Sequence, residues 1–164
     1  NISANHLRQG QLASNVERLL ERYNVDPHKL EVELTESCFI SHFSEAKQEL
    51  LALKKLGVHI TLDDFGTGYS ALSYLTKLPI DTLKIDASFI AKVPDEYGNS
   101  EIVTAIISLA KSLSIHVVAE GVEKVEQLNY LRSLNCDTIQ GYYFCRPIAK
   151  QQWYDFYLNT EKSA

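Results

Sequence analysis

Five short segments of this chain alternate polar and apolar residues, and a stretch of helical periodicity follows each of them. They are Leu30 to Ser37, Val58 to Leu62, Thr82 to Asp86, His116 to Glu120, and the last strand within Asp137 to Phe144, a stretch that also holds the turn after it. Regular exchange of strand and helix predicts repeated βα units with a parallel sheet. Parallel strands covered on both faces normally read as continuous apolar runs. Here one face of each strand is polar: Glu31, Glu33 and Thr35; His59, Thr61 and Asp63; Thr82, Lys84 and Asp86. An open sheet with helices on both sides would have to bury that face, whereas a barrel turns it into an axial site at its C-terminal mouth. The expectation is therefore an α/β chain of the (β/α) barrel type. With 164 residues, against about 250 for a whole barrel, it holds five strands plus a stub at Asn1-Ile2-Ser3 and is incomplete at its N-terminus.

Helical stripes fill the intervals. Leu12, Val16, Leu19, Leu20 and Tyr23 mark the first, broken at Asp26-Pro27. Ala46, Leu50, Leu53 and Leu56 mark the second, ended by Gly57. A third runs through Leu72 and Leu75 to Pro79, a fourth carries Ile102 to Leu113, a fifth Val125 to Leu134, and Trp153, Phe156 and Tyr157 belong to a closing helix. No sequence repeat is evident. A net charge of −5 argues against a nucleic-acid surface, which needs clustered Lys and Arg. Cys38, Cys136 and Cys145 lack metal-type spacing, which favours reduced thiols and a cytoplasmic setting. No apolar run approaches membrane-spanning length, so no direct membrane contact is expected of this segment. A chain without methionine that opens on Asn1 reads as cut from something longer, which leaves room for an upstream membrane anchor.

The strand ends carry the chemistry. Asp63 and Asp64 are adjacent, and neighbours in a strand point to opposite faces, so they can share a site only where the strand stops and the backbone turns on Gly66 and Gly68. Glu33, Asp86, Glu120 and Gln140 stand at the other ends, with Lys84 one pleat below Asp86 and Asn1 closing the stub. Gathered at one mouth, these are five carboxylates against one ammonium. Crowded carboxylates raise their pKa values or bind cations. An all-oxygen set suits Mg²⁺ or Mn²⁺, for which two ions bridged by one Asp would polarise a phosphoryl oxygen, while Lys84 offsets its charge or positions the attacking water. Singly, each residue has a structural alternative. Glu33 can be a solvated strand end, Lys84 and Asp86 an ion pair, Glu120 a helix start, Gln140 the partner of a loop carbonyl. Glu36 and Glu123 can be helix-start acids, Cys38 a buried thiol, His59 and His116 core or surface histidines.

The series Asn1-Ile2-Ser3, Glu33-Leu34-Thr35-Glu36, Asp63-Asp64-Phe65-Gly66-Thr67-Gly68-Tyr69-Ser70, Lys84-Ile85-Asp86, Ala119-Glu120-Gly121-Val122-Glu123 and Gln140-Gly141-Tyr142-Tyr143-Phe144 before Arg146-Pro147 resembles the EAL domain of bacterial cyclic di-GMP phosphodiesterases. The resemblance implies a modified (β/α)₈ TIM-type barrel that hydrolyses cyclic di-GMP to linear pGpG with Mg²⁺ or Mn²⁺, as a homodimer attached to sensory or GGDEF domains. Residues 1–164 would be the C-terminal part of one such domain. Carried over by position, Asn1, Glu33, Asp63, Asp64 and Glu120 resemble metal ligands, Asp63 as the bridge. Lys84 and Glu120 match the catalytic pair, Asp86 the supporting acid, and Gln140 the residue that positions water or substrate. Glu36 resembles the acid anchoring the loop Phe65 to Leu72, which in the family joins metal occupancy to dimerisation. The naming Glu-Ala-Leu segment does not occur in this chain, so the expectation is a competent parent and a fragment of little or no activity. The runner-up is a degenerate, non-catalytic module that binds the nucleotide or a protein partner. A sugar-phosphate enzyme on the same fold lacks support, since no glycine-rich phosphate loop follows the last strands.

Overall fold

A computed structural model describes residues 1–40, 43–66, 75–94 and 98–154. Its strands are β1 (Glu31–Thr35), β2 (His59–Phe65), β3 (Thr82–Ile85), β4 (His116–Ala119) and β5 (Thr138–Ile139), all parallel and paired in sequence order. Ile2 extends the sheet by a parallel bridge to Leu34, its N–H donating to the Glu33 carbonyl at 2.7 Å. Doubly wound sheets reverse strand order at a switch point. This sheet never reverses, which is the winding of a barrel left open.

The helices are α1 (Ala4–Arg8), α2 (Leu12–Tyr23), α3 (Ser37–Ile40), α4 (Phe43–Leu56), α5 (Ala87–Ile90), α6 (Asn99–Ser112) and α7 (Val125–Ser133). Val32, Leu34, Ile60, Leu62, Leu83, Ile85, Val117 and Ala119 point away from the polar face and are buried. They join Leu50 and Leu53 of α4, Val103 and Ile107 of α6, and Leu128 and Leu131 of α7 in one hydrophobic cluster. Truncating a fully buried leucine such as Leu53 costs about 2–5 kcal/mol. The outer face thus holds the sheet together, which leaves the polar face for other work.

Two expectations change. The first helical stripe is α2, with the separate short helix α1 before it, but Leu19 and Tyr23 are exposed. Leu12, Val16 and Leu20, each four residues apart, form the face that packs inward. The last strand is two residues long, because the chain then turns onto the loop after β4: Val122 N–H donates to the Gln140 carbonyl and Tyr143 N–H to the Val122 carbonyl. The helix expected through Leu72 falls largely on 67–74, and Phe156 and Tyr157 on 155–164, outside the described residues; Leu75 is buried.

Candidate metal centre

Asp63 and Asp64 reach the same rim by a device other than the one expected. Strand β2 continues through both to Phe65. Leu62 pairs with Leu83 but Phe65 pairs with Ile85, so β2 spends one residue more than β3 over that interval. This is a β-bulge, and Asp64 sits in it at φ +53°, a left-handed conformation that a short polar residue tolerates. The bulge breaks the two-residue alternation and brings neighbouring carboxylates together.

Lys84 is the centre of the arrangement. Its Nζ lies 3.1 Å from Glu33 Oε1, 3.0 Å from Asp63 Oδ1 and 2.9 Å from Glu120 Oε1, so residues of β1, β2 and the end of β4 converge on one ammonium from β3. Burial alone would lower the lysine pKa, but the hydrogen bonds to Glu120, Asp63 and Glu33 outweigh it and raise it above the ordinary value. Lys84 therefore stays charged. The carboxylates of Asp63, Asp64 and Glu120 offer oxygens that lie within 4.8 Å of one another. At that spacing two unscreened charges repel by about 3 kcal/mol for an effective dielectric near 20. Partial burial, then Asp63 and Asp86, push the Asp64 carboxyl above its usual range, while Lys84 pulls it back. Lys84, the one ammonium at this group among the described residues, does not neutralise it, and the oxygen-only donor set fits a hard divalent cation.

The other candidates take distinct places. Asp86 does not pair with Lys84; its Oδ1 accepts the Ser88 N–H at 2.9 Å and the Ser88 hydroxyl, capping α5. The bridge at Ile2 puts Asn1 at the rim beside the end of β1. Gln140 is held at the end of β5 by its own N–H to the Ala119 carbonyl, 2.9 Å. A cleft of about 520 Å³ opens beside it, lined among others by Tyr142, Phe144, Arg146 and Trp153, with the Arg146 guanidinium 4.8 Å above the Tyr142 ring. Glu36 is buried, and its Oε1 accepts the Gly66 N–H at 2.7 Å; Oε2 has no partner among the described residues. The rest of the loop it was expected to anchor, 67–72, lies outside the described residues. Cys38 is a buried thiol whose Sγ donates to the Ile2 carbonyl.

Sequence reading missed the opposite end of the sheet. His59 Nε2 meets Thr82 Oγ1 at 2.8 Å, and Asp81 accepts from Ile60 N–H and Lys54. The same pattern recurs one unit pair later: His116 Nε2 meets Thr138 Oγ1 at 2.8 Å, and Asp137 accepts from Val117 N–H. A His at one strand start and an Asp-Thr pair before the next was the available signal.

A strand-ordered barrel segment whose C-terminal rim gathers acids around one lysine belongs among the α/β-barrel proteins with a polar axial site. The family model for the EAL domain matches residues 1–147, and the chain belongs to that family. It is 43% identical over 148 residues to the cyclic di-GMP phosphodiesterase NbdA of Pseudomonas aeruginosa, covering 90% of this chain and 19% of that protein. Its structure is similar to the PaMucR phosphodiesterase in complex with c-di-GMP (TM-score 0.86, 38% identity, 93% of this chain and 62% of that one). It also resembles BlrP1 of Klebsiella pneumoniae in a manganese and cyclic di-GMP complex (TM-score 0.77, 33% identity, 84% and 35%). The chain spans about one fifth of the length of the curated relatives it matches.

Proposed function

We propose that this chain supplies most of the metal-binding and charge-handling rim of a phosphodiesterase that opens cyclic di-GMP to linear pGpG. The observation that carries the reading is the Lys84 ammonium held within 3.1 Å of Glu33, Asp63 and Glu120, with Asp64 crowding the last two. Water adds to phosphorus, one P–O3′ bond breaks, and the freed 3′-oxygen takes a proton. Asn1, Glu33, Asp63, Asp64 and Glu120 would hold Mg²⁺ or Mn²⁺, with Asp63 shared. When bound, such ions lower the pKa of a water and offset phosphoryl charge. Lys84, kept protonated by its three acids, is no general base; it holds positive charge where negative charge grows on the phosphoryl oxygens. Glu120, the acid closest to that ammonium, takes the proton of the attacking water. Gln140 orients water or substrate from the edge of the aromatic cleft, and Asp86 fixes the end of β3 through its bond to Ser88.

Residues 1–164 form the C-terminal part of a single barrel domain in this reading, supported by the one sheet and one core of the described residues. The same reading assigns a cytoplasmic homodimer with sensory or GGDEF domains attached, in keeping with the small share of its relatives that the chain spans. Among the described residues no helix is long and apolar enough to cross a membrane. Glu36 anchors the loop after Phe65 by its bond to Gly66.

The test is turnover of cyclic di-GMP with Mn²⁺, product identified by mass, for these 164 residues and for the chain preceded by a barrel segment carrying Glu-Ala-Leu. The extended chain should release pGpG and the shorter one little or none. An extended chain that binds the nucleotide without cleaving it would make the domain a binding module instead.

A further inference from the structure

Helix α5 is a single turn, yet it is held from four sides. Asp86 caps its start. At its end the Ile90 carbonyl accepts from Gln127 Nε2 at 3.0 Å, and Gln127, buried, takes the N–H groups of Glu123 and Lys124 on its Oε1 at 2.8 and 2.9 Å. Ala87 abuts the residue after Glu120: a methyl on Gly121 would stand 2.5 Å from Ala87 Cβ. Phe89 abuts the residue after the β2 bulge and strand end: a methyl on Gly66 would stand 2.7 Å from Phe89 Cε2. Both glycines have positive φ, +71° and +100°.

The two contacts lie on either side of Lys84. One follows Glu120 directly, the other follows Asp63 and Asp64 by two to three residues, and Glu36 holds the same Gly66 by its N–H. Contact this close leaves neither loop room to shift inward, and a packed contact moves its neighbours rather than yielding. We propose that α5 is the spacer that sets the separation between the Asp63–Asp64 bulge and Glu120, with Ala87, Phe89 and Gln127 as positioning residues that govern divalent-cation affinity without touching the ion. This rests on the metal reading given above. A buried glutamine using both ends of its amide has the rigidity such a spacer requires.

The test is Mn²⁺ binding by titration calorimetry, with thermal unfolding recorded on the same samples. Ala87→Val should weaken Mn²⁺ at least tenfold in protein that still unfolds cooperatively. Gly121→Ala should do the same, and the swap Ala87→Gly/Gly121→Ala, which keeps the strain of alanine at positive φ but removes the 2.5 Å contact with Ala87 Cβ and leaves only the one of 3.2 Å to the Cα of residue 87, should recover part of the lost affinity. Gln127→Met and Gln127→Glu, neither of which supplies the amide N–H that Ile90 accepts, should each weaken binding severalfold. If the variants lower the unfolding temperature while Mn²⁺ affinity stays at the wild-type value, the contacts are packing only and the spacer is overturned. If the swap binds no better than Gly121→Ala, backbone strain rather than spacing is responsible, and the proposal falls. Absence of Mn²⁺ binding by the wild type would overturn the metal reading and the spacer with it.

Discussion

The two ends of the sheet treat charge in opposite ways. At the N-terminal end, Asp81 receives Lys54 and the Ile60 N–H, Asp137 receives the Val117 N–H, and His59 and His116 each meet a threonine of the next strand. At the C-terminal end, Glu33, Asp63 and Glu120 share Lys84, and Asp64 is pushed toward protonation. Among the described residues the carboxylates of this end outnumber its cations, and like charges so crowded strain a fold unless something else completes the set. The barrel division into a structural bottom and a chemical top is thus visible in this chain as a difference in charge balance.

The sharpest way to break the comparison is to remove an acid from each end. In an active, extended chain Asp63→Asn should cut cyclic di-GMP turnover by about two orders of magnitude or more, while its unfolding temperature stays level or rises as repulsion is relieved. A large loss of stability instead would make Asp63 a structural residue like Asp81. Next in size is the response to metal. Saturating Mn²⁺ at a hundredfold excess over its dissociation constant should add about 2.7 kcal/mol to unfolding stability, read as a shift in urea midpoint, and Glu120→Gln should abolish most of the shift. Asp81→Ala should cost about 1–3 kcal/mol, since it strands the Ile60 N–H and Lys54, and it should leave Mn²⁺ affinity within twofold of wild type.

The smallest effect concerns Lys84 and pH. Its folded-state pKa is raised, so its ionised form favours the folded chain. That contribution is whole below the ordinary lysine value of 10.5 and fades as pH climbs from there through the higher folded-state value. The urea-midpoint gap between wild type and Lys84→Met should therefore be flat from neutral pH to about 10 and narrow above it. A gap that narrows in acid instead would assign the effect to the carboxylates.

Much of this contrast was legible in the residues. Period-two strands with one polar face gave the parallel sheet, the open barrel and the acids of its mouth, because side-chain direction in a strand follows from position alone. The adjacency of Asp63 and Asp64 was legible as a problem, but not its solution: a bulge is a matter of register against β3, which no local pattern encodes. Leu19 and Tyr23 misled because helical spacing puts them on the face of Leu12 and Val16, yet both are exposed: spacing fixes which residues share a face, not how much of that face is covered. The histidine–threonine pairs at the N-terminal end of the sheet escaped notice because His59 and Thr82 are 23 positions apart and only the sheet makes them neighbours. Gln127 escaped for a related reason, since a glutamine inside a helical stripe looks like a surface residue until its three partners are in place.

The central claim is that the acid surplus at the mouth is a divalent-cation site, and calorimetric titration of Mn²⁺ into wild type, Asp63→Asn and Asp81→Asn tests it most directly. Saturable binding that Asp63→Asn removes and Asp81→Asn keeps is the predicted result. Equal binding by all three proteins, or none by the wild type, would contradict it.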